Sequence, residues 1–154
     1  MMKVAHILKG KTVNPDVSLA IAPGSKQVLN MLANNGALAI MIDAGARILE
    51  SACGPCIGMG QSPNSKGISL RTFNRNFEGR SGTKDGQIYL VSPETAAISA
   101  ITGVFTDPRT LGDAADITLP EKFTINDNMI VPPADEKDMD SIEAVSYTHL
   151  RAHE

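Results

Sequence analysis

The 154-residue sequence has no tryptophan, 4% aromatic residues and two cysteines. With so few aromatics, the interior must be packed from Ile, Leu, Val, Ala and the seven methionines, whose flexible side chains fill irregular gaps. Two cysteines exclude a disulfide framework of the kind that staples small secreted domains. There is no lysine/arginine cluster, and 14 basic against 17 acidic residues leave a net charge of −3. That argues against a nucleic-acid partner, whose binding needs a basic footprint. The longest apolar stretch, residues 36–46, is broken by Asp43 and falls short of the ~20 residues of a membrane span. Residues 1–10, interrupted by His6 and Lys9, lack the form of a secretory signal. No internal repeat is evident. The remaining composition, 42% hydrophobic and 20% charged, is that of a globular chain of one domain, expected in the cytoplasm.

Periodicity predicts an α/β organisation. Residues 2–10 carry Val4, Ile7 and Leu8 at helical spacing, with Gly10 as a stop. Residues 17–22 (VSLAIA) read as a short strand. Ser25 is then placed to cap a helix over residues 26–34, whose apolar face is Val28, Leu29 and Leu32. Residues 37–44 form a second helix, and residues 47–50 (RILE) a strand that runs into Cys53. Residues 67–72 (GISLRT) and 87–91 (QIYLV) are further strands. Ser92 as cap and Pro93 at the first position open a helix that runs to Thr102 and stops at Gly103. Strands alternating with helices predict a three-layer α/β/α domain over residues 1–112, with one central, mostly parallel sheet. Residues 113–145 have several acids, Pro120 and Pro132-Pro133, and read as a linker. Residues 146–154 (SYTHLRAHE) fit nothing before them. They resemble a translated sequencing-adapter read-through, so Tyr147, His149 and His153 are left out of the functional reading.

Cys53-Gly54-Pro55-Cys56 is the sharpest chemical feature. Thiolates three residues apart can converge on one centre. Four chemistries share that spacing. A redox dithiol usually has an aromatic neighbour, which is missing here. A zinc site needs a second pair of ligands, and outside the tail only His6 remains. The cysteines can also be inert and buried. The fourth chemistry is iron–sulfur ligation, which normally uses three or four cysteines, so further ligands would come from outside this chain.

A second constellation, residues 73–82 (FNRNFEGRSG), follows a predicted strand, where open α/β sheets place ligand loops. Arg75 and Arg80, with Asn74 beside them, can hold a polycarboxylate through charge-assisted, bidentate contacts. A solvated loop with surface ion pairs explains isolated arginines equally well. Ser25 reads as a cap, His6 as structural, and Asp43 and Glu50 as solvated acceptors. Residues 106–109 (TDPR) read as a turn.

Together, ESACGPCIGMGQ, GISLRTFNRNFEGRSGT and YLVSPETAAISAITGVFTDPR, with LKGKTVNPDVSLAIAPGSKQVL upstream, resemble the aconitase superfamily, and within it the aconitate hydratase branch. CGPC alone is weakly specific; followed at this distance by FNRNFEGR it is highly so. The resemblance covers residues 1–145. It implies a 4Fe–4S hydro-lyase of the tricarboxylic acid cycle that interconverts citrate and isocitrate. It assigns Cys53 and Cys56 to the second and third cluster ligands, and Asn74, Arg75 and Arg80 to the substrate site. The family's first cluster cysteine, base serine and swivelling domain have no counterpart here. The resemblance therefore implies an internal fragment, inactive alone, of a monomeric parent with a fused swivel domain and neither membrane nor nucleic-acid partners. The alternative is the large subunit of 3-isopropylmalate dehydratase or homoaconitase, which shares the cysteine pair and NRNFEGR. Phe73 before Asn74 and the run over residues 113–138 favour aconitate hydratase.

Overall fold

A computed structural model describes residues 1–112, 116–128, 130–133 and 135. The chain divides into two units, Met1–Thr124 and Ile125–Glu154. Every helix and strand among the described residues lies in the first. The linker expected over residues 113–145 is described only in part, and the tail at 146–154 lies outside the described residues.

Four helices form, and polar side chains mark the starts of three of them. Helix α1 (Met2–Leu8) buries Val4, Ala5, Ile7 and Leu8 along one stripe. After a short strand β1 (Ala20–Ile21), α2 (Lys26–Asn34) begins where Ser25 Oγ accepts a hydrogen bond from the Val28 amide at 3.1 Å, satisfying a donor the helix itself leaves unpaired. Asn35 Oδ1 accepts from the Ala37 amide at 3.0 Å and so starts α3 (Ala37–Asp43). The last helix, α4 (Pro93–Thr102), repeats the Ser25 device, with Ser92 Oγ accepting from the Thr95 amide at 3.1 Å.

The core joins α1, α3 and α4 through Ala5, Leu8, Ala37, Met41, Ala44 and Ala97, with Ile21 and Leu32 beside them. Its many alanines let helix backbones approach closely, and Leu8 and Met41, both 0% exposed, fill the space between. The segment between α1 and β1 is fastened to two helix ends: the Val13 amide donates to Ala44 O at 2.8 Å and the Asn14 amide to Ala100 O at 2.9 Å.

The strands depart from the expectation of one central sheet. Among the described residues, β1 pairs in parallel with β2 (Arg47–Ile48). Strand β3 (Ile68–Arg71) pairs in parallel with β4 (Gln87–Leu90), in the register Ile68↔Gln87 to Arg71↔Leu90. The two pairs are separate. The strand expected over residues 17–22 shrinks to two residues because only Ala20 and Ile21 find ladder partners. The α/β class stands, carried by helices and short parallel strands. Ile68, Tyr89 and Leu90 on the second pair are exposed, and Tyr89 meets Phe105 edge-on with ring centroids 5.8 Å apart. No helix among the described residues is long and apolar enough to cross a membrane.

Both parallel pairs deliver a loop at a strand's carboxyl end. β2 leads into the cysteine loop and β3 into the arginine loop, the end at which open α/β sheets gather ligand-binding residues.

Candidate functional site

The cysteine loop is a tight coil. The Gly54 amide donates to Ala52 O at 3.0 Å, and a 3-10 turn over Pro55–Ile57 follows. The Met59 amide returns to Gly54 O at 2.9 Å. This winding brings the sulfurs of Cys53 and Cys56 together as a disulfide, with Cα atoms 6.2 Å apart. Cys53 is exposed and Cys56 is buried. Arg47, on β2, reaches across to donate to Gly60 O and Gln61 Oε1. Gln61 Nε2 in turn donates to the Ser18 carbonyl at 3.3 Å. The exit of the loop is thus tied back to the strand from which it started.

The arginine loop starts as β3 ends. Asn76 Nδ2 donates to Phe73 O at 2.9 Å, and the Arg80 amide to Phe77 O at 3.1 Å. Asn74 and Arg75 are exposed, and neither side chain is engaged among the described residues. Arg80 is half-buried, with its guanidinium 5.8 Å from the Phe77 ring centroid.

Direct packing joins the two loops. Gly58 has φ +86°, and a Cβ there would sit 3.2 Å from Ser81 Cβ, so glycine allows the cysteine loop to lie against the residue after Arg80. Gly82, with φ +75°, lies against Pro63 in the same way: a Cβ would meet Pro63 O at 2.8 Å. The sequence-predicted site residues therefore fall in two loops that touch. Cys53 and Cys56 lie on one, and Asn74, Arg75 and Arg80 on the other.

Four residues that matter to this arrangement were missed in the sequence. Arg47 and Gln61 fasten the cysteine loop; Arg71 and Ser81 close the base of the arginine loop, with Arg71 Nη2 donating to Ser81 Oγ at 2.6 Å. A usable signal existed for Arg71. In the alternating strand GISLRT it shares a face with Ser69, and a charge at an inward position needs partners.

The positions read as ordinary structure are mostly so. Ser25 caps α2. Asp107 caps the 3-10 turn Pro108–Leu111 and pairs with Arg109. Hydrogen bonds from the Arg109 side chain, then from its backbone, pull the Asp107 carboxyl down to about 2. A pocket of about 420 Å³ near α1 and the start of α4 is lined by Lys3, His6, Lys11, Glu94 and Arg109, and contains no residue of either loop. Lys3 is paired there with Glu94 at 3.2 Å.

The donor set meets an iron–sulfur group only in part. Cysteines one turn apart can hold two irons of one cluster once reduced to thiolates and moved apart; joined as a disulfide they offer it no ligand. Among the described residues no group of three or more His, Cys, Asp or Glu side chains is placed to hold a metal ion, so the pair fits only part of such a site.

Fold and site define a class: an α/β domain that presents a cysteine pair and an arginine-bearing loop side by side at strand ends. A family model described as "Aconitase family (aconitate hydratase)" matches residues 1–103, and the chain belongs to the aconitase family. It is 41% identical over 106 residues to the 3-isopropylmalate dehydratase large subunit 2 of Archaeoglobus fulgidus, covering 68% of this chain and 26% of that protein. It is 44% identical over 108 residues to the homoaconitase large subunit of Thermus thermophilus, covering 70% and 26%. It is 47% identical over 106 residues to the probable methanogen homoaconitase large subunit of Methanosarcina mazei, covering 68% and 26%. The chain spans about a quarter of the length of these relatives.

These names correct two expectations. The relatives are 3-isopropylmalate dehydratase and homoaconitase subunits, which overturns the reading as an aconitate hydratase of the tricarboxylic acid cycle. Phe73, which favoured that reading, has a structural explanation: the Arg71 guanidinium lies 5.5 Å from its ring centroid, so packing accounts for an aromatic there. The monomeric parent also loses its support, because the relatives are named as large subunits.

Proposed function

We propose that this chain is the part of a hydro-lyase of the 3-isopropylmalate dehydratase or homoaconitase kind that holds two cluster ligands beside the substrate's carboxylates. The observation that carries this is the packing of the cysteine loop on the arginine loop at Gly58 and Ser81. In this reading Cys53 and Cys56, as thiolates, hold two corners of a 4Fe–4S cluster, and the third ligand comes from outside these two cysteines. The cluster, when bound, supplies a Lewis-acidic iron.

The chain's own residues bind and orient. Removing water from a carbon next to a carboxylate builds negative charge, and fixed guanidinium groups hold the ground state and stabilise that charge as it develops. Arg75 and Arg80 are the carboxylate ligands, and Asn74 is a neutral hydrogen-bonding partner next to them. Both exposed side chains, Asn74 and Arg75, are open to a ligand. The substrate is a di- or tricarboxylate, and the partner is a small subunit, matching the large-subunit names of the relatives. A reducing compartment such as the cytoplasm keeps the thiols able to bind iron. Residues 1–112 serve as a partial three-layer domain whose two strand pairs belong to one larger sheet in the whole subunit, and residues 113–145 as a linker from it.

The test is a substrate panel on the full-length large subunit with its small subunit, reconstituted anaerobically with iron and sulfide. Turnover of 3-isopropylmalate or homocitrate is expected. Turnover of citrate alone, or a loaded protein that turns over none of the three, contradicts the proposal.

A further inference from the structure

Arg71 has no part in the reading above, yet among the described residues it is a charged side chain buried in a strand. It is the last residue of β3 and is only 5% exposed. Its Nε donates to Ser69 Oγ at 3.0 Å and its Nη2 to Ser81 Oγ at 2.6 Å. Its Nη1 is buried with no hydrogen-bond partner. The ion pairs seen among the described residues include Lys3–Glu94 and Arg109–Asp107, and among those residues no carboxylate is paired with this guanidinium. Among the described residues its hydrogen bonds go to two serine hydroxyls, and the Phe73 ring lies 5.5 Å away. Burial pushes its pKa down, but an arginine stays protonated in a protein. An uncompensated buried cation is strongly disfavoured, and its persistence needs a reason.

The neighbouring loop supplies one. Arg80 precedes Ser81 and also has a buried unpartnered donor, its Nε. The loop between Arg71 and Ser81 therefore has a guanidinium at each end with an unused N–H, a third guanidinium exposed at Arg75, and, among the described residues, no carboxylate paired with any of them. Three guanidiniums grouped on one loop raise the local positive potential that an anion would meet there.

We propose that Arg71 is a positioning residue for anion binding by this loop: it fastens Ser81, and with it Arg80, to the end of β3, and its uncompensated charge strengthens the loop's hold on a carboxylate-bearing ligand. This rests on the reading of Arg75 and Arg80 as carboxylate ligands. It adds a residue that binds no substrate itself and sets both the place and the potential of those that do.

The test is binding of tricarballylate, an unreactive tricarboxylate, to the full-length large subunit by titration calorimetry across a range of salt. Arg71→Gln keeps a donor for Ser81 and removes the charge. It is expected to weaken binding about fivefold or more at low salt, with the gap to wild type narrowing as salt screens the charge. Arg71→Lys should recover most of the affinity. Ser81→Ala keeps the charge and removes the anchor; it should lose less affinity and speed amide exchange over residues 73–80. Wild-type binding at every salt by Arg71→Gln overturns the inference. So does a deficit that salt leaves unchanged and lysine does not repair, because that is a merely structural role. If Arg71→Gln does not fold, Ser81→Ala decides: unchanged amide exchange over residues 73–80 overturns the anchoring. Absence of binding by the wild-type chain instead overturns the carboxylate-loop reading itself, and this inference with it.

Discussion

Replacing Gly82 by alanine tests whether the two loops are held together by the contact at Pro63. The backbone there has φ +75°, and the added Cβ would lie 2.8 Å from Pro63 O, 2.9 Å from its Cγ and 3.0 Å from its Cδ. A left-handed backbone costs an L-residue roughly 1–2 kcal/mol, and overpacking against a part that cannot yield adds about 1–3 kcal/mol. Stiffening the unfolded chain returns about 0.4–1 kcal/mol of this. The net loss is therefore roughly 1–4.5 kcal/mol, centred at about 3 kcal/mol. Gly10 is the control, with φ +68° and nothing within 4 Å of a built Cβ, so Gly10→Ala should lose only about 1 kcal/mol. Urea unfolding followed by circular dichroism measures both, provided the slopes agree. Gly82→Ala should also speed alkylation of reduced Cys56, because Pro63 must move and the cysteine loop moves with it. Equal stability losses for the two variants would refute the reasoning, since the Pro63 contact would then hold nothing.

Further outcomes follow from the core, the caps and the acids. Met41→Ala, at a site 0% exposed between helices, should lose about 2–5 kcal/mol in the same urea assay; a loss below about 1 kcal/mol would mean the helices do not enclose it. Ser92→Ala removes the acceptor for the Thr95 amide and should lose about 1 kcal/mol, which Ser92→Asp should restore. Asp107 sits at about 2 against an ordinary 3.8. A depressed carboxyl stabilises fully above its unfolded value and ceases to do so as pH falls through its folded value. The Pro108–Leu111 turn should therefore loosen as pH falls from 3.8 towards about 2. An NMR titration of the Asp107 carboxyl checks this, and a midpoint near 3.8 would contradict it.

What could be read from the residues divides along a physical line. Helices α2 and α4 have the bounds their serine caps, Pro93 and the flanking glycine predict, because capping is local chemistry. Strand extent is not local. The apolar run at residues 17–22 pairs only at Ala20 and Ile21, because its partner β2 offers two residues, and no periodicity within the run reveals that. The two motif loops were legible as chemistry, in CGPC and FNRNFEGR. Their contact was not, because it depends on backbone approach at Gly58 and Gly82, and glycines in a loop are ordinarily just turns. Arg71 was passed over because it sat inside a strand, where attention goes to the apolar residues. The preference for aconitate hydratase fails at Phe73, where the aromatic ring packs on a buried guanidinium and carries no information about the substrate.

The central claim is that the cysteine pair and the arginine loop form one catalytic site of a 3-isopropylmalate dehydratase or homoaconitase type. The most direct measurement compares Cys56→Ser and Arg75→Ala in the reconstituted full-length protein, following both cluster absorbance and dehydration of 3-isopropylmalate and homocitrate. The account predicts that Cys56→Ser loses the cluster and the activity together. Arg75→Ala should keep the cluster and lose activity, about 10²–10³-fold if its stabilisation is lost mainly in the transition state. Full activity in either variant would contradict it.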